Sequence, residues 1–340
     1  MYKADVVIIG SGPAGASAAI TCAQKGLKAI IIEANAFPRH RPGETLHPGI
    51  ESLLVKLDVW QQVQQAQFLR HRGIWVKWDR ERHFVPYGTE GNRGWYGIQA
   101  WRSEFDNILL KKALSMGVKV HQPCRAIQPI IYHNRVAGVI TSKGEVLAPL
   151  LIDATGSRQW LAKKLNLQLE IHSPTLIARY GYVIGECPTF DENPAIIANS
   201  TGWTWTAKIR PSMYQWTRLS FSKETSNKKW IPKELSSLES MGNIKGADMT
   251  WRIVRKSAGL GYFLTGDAAV VLDPASSHGV LKAIMSGMLA GHLVSRITKD
   301  ECEEKYAIQS YCQWIEDWFK HDVEKLNKLY SKLNKNHRFA

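Results

Sequence analysis

Apolar positions fall in short runs along the chain, and the period around each run separates strands from helices. The run DVVIIG (Asp5–Gly10) is uninterrupted and β-branched, which predicts a strand buried on both faces. PAGASAAITCAQKG follows, with Pro at its start, Ala throughout and Gly26 at its close, the signature of a helix. KAIIIE then predicts a second strand ending at Glu33. Helical spacing continues through IESLLVKL and VWQQVQQAQFL. From Gly73 the alternation becomes strand-like and aromatic (GIWVKW, HFVPYG, GWYGIQA). RSEFDNILLKKALSMG reads as a helix, and short strands follow with turns at His133-Asn134 and Lys143-Gly144. Alternation from about Ile171 to Trp251 predicts an antiparallel sheet (LIARYGYVIGE, AIIANS, GWTWTAKIR, YQWTRLSFS). YFLTGDAA returns to a buried strand, a long apolar helix follows near Ser277 to Ile297, and a helical tail starts at about Glu301.

Composition narrows the function classes. With 340 residues, 44% hydrophobic and 22% charged, the chain suits a globular protein of one large domain or two. Lys and Arg number 44 against 30 Asp and Glu, a net charge of +14 that favours anionic cofactors or an acidic protein partner. The basic residues are scattered and no RNA-binding or zinc spacing occurs, so nucleic acid ranks last. The densest basic stretch, KHDVEKLNKLYSKLNKNHRF, fits the solvated face of a terminal helix. Five cysteines without a Cys-x-x-Cys argue for a reducing compartment and against a disulfide framework or a metal site. The start MYKADVVIIG leads directly into a strand, so the expectation is a cytoplasmic protein without a secretory signal. Lys282 and His292 interrupt the long apolar helix, which is therefore not expected to span a membrane, and its Gly287-x-x-x-Gly291 suits close approach of a neighbour. Thirteen tryptophans fit either core filling or a pocket for a flat aromatic molecule.

The chemistry begins at Gly10-Ser11-Gly12-Pro13-Ala14-Gly15, between strand and helix. Gly10 permits the tight turn, Gly12 lets the backbone approach a pyrophosphate, and Gly15 permits close helix–strand packing. Glu33 then ends the second strand, where a carboxylate can accept hydrogen bonds from a ribose. This predicts dinucleotide binding without separating FAD from NAD. LDPASSHGVLKAIMSG places a Pro-Ser-Ser-His-Gly loop before the long helix, and the bare N–H groups of a helix start suit a negative group. Ser276 and Ser277 could equally cap that helix.

LLIDATGSR, GLGYFLTGDAA and WRSEFDNILLKKA, taken with the glycine motif, resemble the FAD-dependent monooxygenase superfamily of aromatic hydroxylases, halogenases and geranylgeranyl reductases. The resemblance implies an α/β fold in which a Rossmann-like FAD-binding domain (1–70, 100–170 and 252–300) is interleaved with an antiparallel β-sheet substrate domain (71–99 and 171–251), ahead of a helical tail (301–340). It implies a cofactor set of Gly10, Gly12, Pro13, Ala14, Gly15, Glu33, Ala34, Arg41, Arg102, Ala154, Gly156, Gly266, Asp267, Pro274, Ser277, Gly279 and Val280. Asp267 would bond the ribityl chain, Arg102 would lie beside the cofactor, and the loop Pro274–Gly279 would face the flavin ring. Only one dinucleotide fingerprint is visible, so electrons would come from NAD(P)H in a surface groove or from a separate flavin reductase.

FPRHRPGETLHPG, GWTWTAKI and RHRGIWVKW resemble the halogenase-like branch, with two departures. Ala207-Lys208 stands where that branch has Ile-Pro, and His71, between Arg70 and Arg72, stands where it has a catalytic lysine; a gap would bring Lys77 there instead. DPASSHGVLKAIMSG is most similar to the flavoproteins that mature tryptophylquinone lysine ε-oxidase and glycine oxidase. That implies hydroxylation of a tryptophan side chain in a partner protein, the precursor of such an oxidase, without nucleic acid or a metal. Small-molecule hydroxylation, halogenation, a geranylgeranyl-reductase-like reaction and a binding protein without turnover are the alternatives. His71, His47 and His278, with Glu44, are the acid–base candidates; Trp75, Trp203 and Trp205 are the candidate pocket walls.

Overall fold

The uninterrupted apolar runs sit side by side in a six-stranded sheet. Its order is Lys119–His121, Ala29–Ile32, Val6–Ile9, Leu150–Asp153, Tyr262–Leu264 and Ala258–Gly259. The first five are mutually parallel and only the last is antiparallel. Every residue of Val6–Ile9, Ala29–Ile32 and Leu150–Asp153 is buried, as a sheet covered on both faces requires. The computed structural model describes residues 2–90, 93–221 and 230–333.

Among the helices, α1 (Pro13–Gln24) packs against both α2 (Arg102–Ser115) and α3 (Gly279–Thr298). The α1–α3 approach uses Gly287 and Gly291: a Cβ on the first would overlap the Ala14 carbonyl oxygen, and on the second would lie 2.8 Å from that of Ala18. The pair is thus a close-approach surface inside the protein. α3 is long and apolar enough by composition to cross a membrane, but here Ile284, Gly287, Ala290, Gly291 and Val294 are buried in the core.

The aromatic half forms a seven-stranded sheet in the order Glu239–Asp248, Ile177–Ile184, Met213–Ser220, Gly202–Arg210, Ala195–Asn199, Gly73–Lys77 and His83–Pro86. One pair departs from the expected antiparallel pattern: Ala195–Asn199 runs parallel to Gly73–Lys77. Edge strand Glu239–Asp248 has little strand signal of its own and forms by pairing with Ile177–Ile184. The helices expected in IESLLVKL and VWQQVQQAQFL are short (Ile50–Lys56 and Trp60–Gln65), each followed by a residue with positive φ, Asp58 or Gln67. Leu69–His71 is instead a strand, paired with Gly97–Gln99 in a three-stranded sheet.

The C-terminal segment is not an appended tail. Helix α4 (Glu304–Ser331) buries Ala307, Tyr311, Ile315 and Phe319 in the core around the six-stranded sheet. Its last turns bury Leu326 and Tyr330 against Trp203 and Trp251. Lys320, Lys325 and Lys328 are its solvated face, as expected; residues 334–340 of the basic stretch lie outside the described residues.

Candidate functional site

Parallel strands bring their carboxyl ends to one edge, the place where such sheets bind ligands. Gly10, Glu33, Ala154 and Thr265–Asp267 all follow adjacent strands there. Gly10 has φ +98°, and a Cβ on it would lie 2.5 Å from the Ala154 carbonyl oxygen, so only glycine serves this turn. A Cβ on Gly266 would stand 3.4 Å from that of Ala14 and 3.3 Å from that of Ala283, so the first turn of α1 and the second turn of α3 converge on Gly266. Pro13, Ala14, Gly15 and Gly266 are buried; Gly10, Gly12, Ala34, Ala154, Gly156 and Val280 are half-buried; Arg41, Asp267, Pro274, Ser277 and Gly279 are exposed.

Glu33 is already engaged. Oε2 accepts from the Ser11 N–H at 2.9 Å and the Ser11 hydroxyl at 2.8 Å, and Oε1 from the Asn35 N–H at 2.9 Å. Burial works against the charge, but the Ser11 and Asn35 N–H groups and Arg39 outweigh it and hold the carboxyl below its usual range. Arg39 is a further cation at this cleft that the sequence did not single out beside Arg41. It bridges Asp106 at 3.3 Å and Glu33 at 3.9 Å, and it lies 3.4 Å from where a Cβ on Gly12 would be. Its Nη2 is the atom beside the glycine turn, a cation that fits an anionic pyrophosphate, while its buried Nε faces Glu33.

Arg102 is held by Asp106 in a fork, Nε to Oδ1 at 2.8 Å and Nη2 to Oδ2 at 3.1 Å, while Nη1 donates to the Pro42 carbonyl at 2.9 Å. Burial opposes its charge, yet Asp106 wins and raises its pKa. Asp267 opens to solvent at the floor of this cleft although protein surrounds it. That desolvation raises its carboxyl, with Arg102 and Arg252 pulling the other way. The residues present therefore fit FAD: a glycine turn that only a residue without Cβ can make, with a guanidinium beside it for the pyrophosphate, and an accessible carboxylate farther along for hydroxyl groups.

The loop before α3 is held from behind. Asp273 is fully buried; Oδ1 accepts from the Ala275 N–H at 2.8 Å and Oδ2 from the Tyr330 hydroxyl at 2.6 Å. Tyr330 in turn accepts from Trp203 Nε1 at 2.7 Å. Neither Ser276 nor Ser277 caps α3; His278 is the N-cap residue and supplies no side-chain bond, so the first N–H groups of α3 stay available at the cleft. Tyr330→Phe is expected to cost about 2–3 kcal/mol in urea unfolding, because it strips partners from a buried carboxylate and a buried indole.

The three histidines come together through a residue the sequence reading did not single out. His278 and His47 have ring centroids 4.8 Å apart, His47 lies 6.0 Å from Tyr87, and Tyr87 lies 5.4 Å from His71. His47 Nδ1 accepts from the Gly49 N–H at 3.1 Å. Glu44 is buried and accepts from the Tyr182 hydroxyl at 2.6 Å; burial raises its carboxyl. His71 is 3% exposed, and its Nδ1 lies 3.0 Å from the Gly73 carbonyl, which can only accept. The ring proton therefore sits on Nδ1, and Nε2 is a buried lone pair without a partner. Burial pushes His71 down to about 4, and burial, His47 and Lys282 push His278 down to about 4. Both rings are neutral near pH 7.

For a histidine whose folded pKa is depressed, the unfolded chain binds the proton first. Stability is then lost as pH falls from about 6.5 towards 4, by on the order of 3 kcal/mol for His71. The expected result is a neutral Nδ1–H tautomer in the ¹⁵N spectrum of His71 at pH 6, and a shallower acid-side loss of stability in His71→Gln.

The tryptophan expectation needs correction. Trp203 is 1% exposed and belongs to the core with Trp251 and Tyr330, so it lines no pocket. Trp75 lies on the opposite sheet face, near Phe190 and Trp216, with Phe84 5.4 Å away. Only Trp205 is half-buried on the face turned towards Ala275, Tyr180 and Trp101. Lys77 is exposed at a strand end.

Comparison with known proteins agrees with this geometry. The family model "FAD dependent oxidoreductase" matches residues 5–162, and "Tryptophan halogenase" matches residues 93–337. The chain is 29% identical to the 1H-pyrrole-2-carbonyl-[peptidyl-carrier protein] brominase of Pseudoalteromonas luteoviolacea (strain 2ta16), over 91% of this chain and 81% of that one. It is 27% identical to the tryptophan 2-halogenase of Chondromyces crocatus, over 90% of this chain and 64% of that enzyme. Its fold superimposes on the myxobacterial chondrochloren halogenase CndH with TM-score 0.89 at 21% identity (100% of this chain, 85% of that one). For the flavin-dependent brominase Bmp2 the TM-score is 0.84 at 23% identity (98% and 90%). A strand-end cleft fitted to FAD and a family match over most of the chain lead to one conclusion: the chain belongs to the tryptophan halogenase family and is an FAD-dependent oxidoreductase.

Proposed function

We propose that this member of the family oxygenates an electron-rich aromatic ring rather than halogenating it. The observation behind this reading is position 71, where the resemblance to halogenases calls for an amine and the chain has a buried, neutral imidazole. A neutral imidazole carries no amine to hold an oxidised halogen, and with its proton on Nδ1 its Nε2 is a hydrogen-bond acceptor for an aromatic N–H or O–H. When bound and reduced, FAD supplies the electrons that let O₂ place one oxygen atom on the ring and release the other as water. The apolar surroundings of Trp205, Tyr180 and Trp101 exclude water from the reaction.

The substrate is an aromatic side chain carried by a partner protein, a tryptophan in the finer form of the proposal. Support comes from the net charge of +14, which suits an acidic partner, and from relatives named for carrier-protein-tethered substrates. Electrons arrive from a separate flavin reductase. A second reading, halogenation, is the activity the relatives are named for, and in this chain the Lys208 amine, paired with Asp191 at 3.1 Å, lines the same cavity as His71.

The test supplies the FAD-loaded protein with a flavin reductase, O₂ and bromide, and offers indole, free tryptophan and a tryptophan-containing acidic peptide. One added oxygen, indifferent to bromide, is expected. Bromine in the product, lost in Lys208→Met, would establish the second reading. No modified product would sink both.

A further inference from the structure

The seven-stranded sheet ends on an open edge beside the flavin cleft. Its edge strand Glu239–Asp248 is ten residues long, and only Ile244 and Ala247 are even half-buried. One side of it pairs with Ile177–Ile184; along the other, no backbone hydrogen bond forms among the described residues. Alternate residues of an edge strand turn their N–H and C=O groups outward, a template for a further strand. Natural edges are usually blunted by proline, by charge or by a bulge. This strand has no proline, and its register shift lies at residues 242–244, between the rungs at Tyr180 and Tyr182. Residues 245–248 continue as a regular run.

That run borders the cleft at both ends. Lys245 stands opposite Tyr180, which belongs to the aromatic group of Trp101 and Trp205. His40, with its ring 4.9 Å from that of Trp101, is pushed down by burial and by the cations Lys245, Arg41 and Arg102 that face it. Asp248 closes the strand by holding Arg252 at 3.3 Å, the guanidinium that with Arg102 opposes the upward push on Asp267. Charge on this rim is one-sided. Arg41 and Lys245 are exposed and have no ion pair among the described residues, while Arg210, 4.8 Å over the Trp101 ring, has Glu104 at 3.3 Å. A lysine in the middle of an open edge discourages pairing with a second copy of the same strand and attracts an acidic chain.

We infer that residues 245–248 are the docking edge for an extended acidic segment of the partner protein, which adds to the sheet as a further strand and brings its aromatic residue to the mouth at His40 and Trp101. Main-chain hydrogen bonds supply the affinity, and Lys245 with Arg41 selects for acidic residues. The inference rests on the proposed function for having a protein partner. Docking does not require turnover, so the two can fail separately.

The probe is the peptide acetyl-Glu-Val-Glu-Val-Glu-Val-Glu-Val-amide, titrated up to millimolar concentration into the FAD-loaded protein without reductant and followed by amide hydrogen exchange. Saturable binding is expected, with slowed exchange at residues 245–248 of the unaltered protein. The same peptide N-methylated at adjacent central residues, and Lys245→Glu with the original peptide, should each bind about tenfold more weakly, one lost hydrogen bond or ion pair. The counterpart with lysine for every glutamate should not bind. No saturation by the acidic peptide would overturn the inference, as would equal affinity for the N-methylated or the lysine peptide, or protection on other strands instead. Protection of residues 245–248 that rises with protein concentration alone would also overturn it, by giving the edge to a second copy. Neither flavin loading nor oxidation of small indoles is touched by these outcomes, so the oxygenase reading is judged apart.

Discussion

Arg102→Ala is expected to abolish FAD retention and to lower the unfolding free energy by about 3–5 kcal/mol. Asp106 is fully buried, and Arg102 supplies both arms of the fork that neutralises it. Without that fork only Arg39, at 3.3 Å, remains to face the carboxylate, and Arg39 is also committed to Glu33. Arg102 is in addition a cation opposing the upward push on Asp267, so its loss favours the protonated carboxyl at the cleft floor. Lysine is not an adequate replacement, because a single ammonium cannot bind two carboxylate oxygens and the Pro42 carbonyl in one plane. Urea unfolding and the flavin absorbance left after gel filtration measure the two effects. A variant that kept its flavin and its midpoint would remove Arg102 from the site.

Gly287→Val is expected to cost 3 kcal/mol or more, roughly the upper end of overpacking penalties. The obstacle is backbone: its Cβ would overlap the Ala14 carbonyl oxygen and crowd the Ser17 hydroxyl, and α1 cannot yield there without moving the glycine turn. Gly291→Ala meets the Ala18 carbonyl oxygen at 2.8 Å and should cost about 1–2 kcal/mol. The order of the two is the test. Equal thermal midpoints would mean that α1 and α3 slide freely, and the convergence at Gly266 would lose its support.

The parallel sheet and the cofactor cleft were legible because their signals are local. Gly10, Gly12 and Gly15 sit in a strand–turn–helix context, and Glu33 and Asp267 each end an apolar run, so chain order alone placed them at strand ends. Arg39 was not legible. It sits in a loop without periodicity, two residues from Arg41, and only the tertiary fold shows which of the two reaches Asp106 and Gly12. The tryptophans failed for a related reason. Period-two alternation says that Trp203 and Trp205 share a face, but not whether that face meets core or cleft; α4 decides it by burying Trp203 under Tyr330. Tyr87 gave no signal either, because its role depends on a ring lying between two others from distant segments. The strand Glu239–Asp248 is context alone, shaped by its partner.

The most direct measurement is a titration of FAD into flavin-free protein, followed by absorbance and calorimetry, with Gly12→Val and Asp267→Ala beside the unaltered chain. The two positions lie on different strand ends, so only a single molecule spanning both would make each indispensable. One FAD per chain is predicted, with affinity falling at least a hundredfold in either variant. Stoichiometric binding untouched by both substitutions, or none in the unaltered chain, would contradict the account.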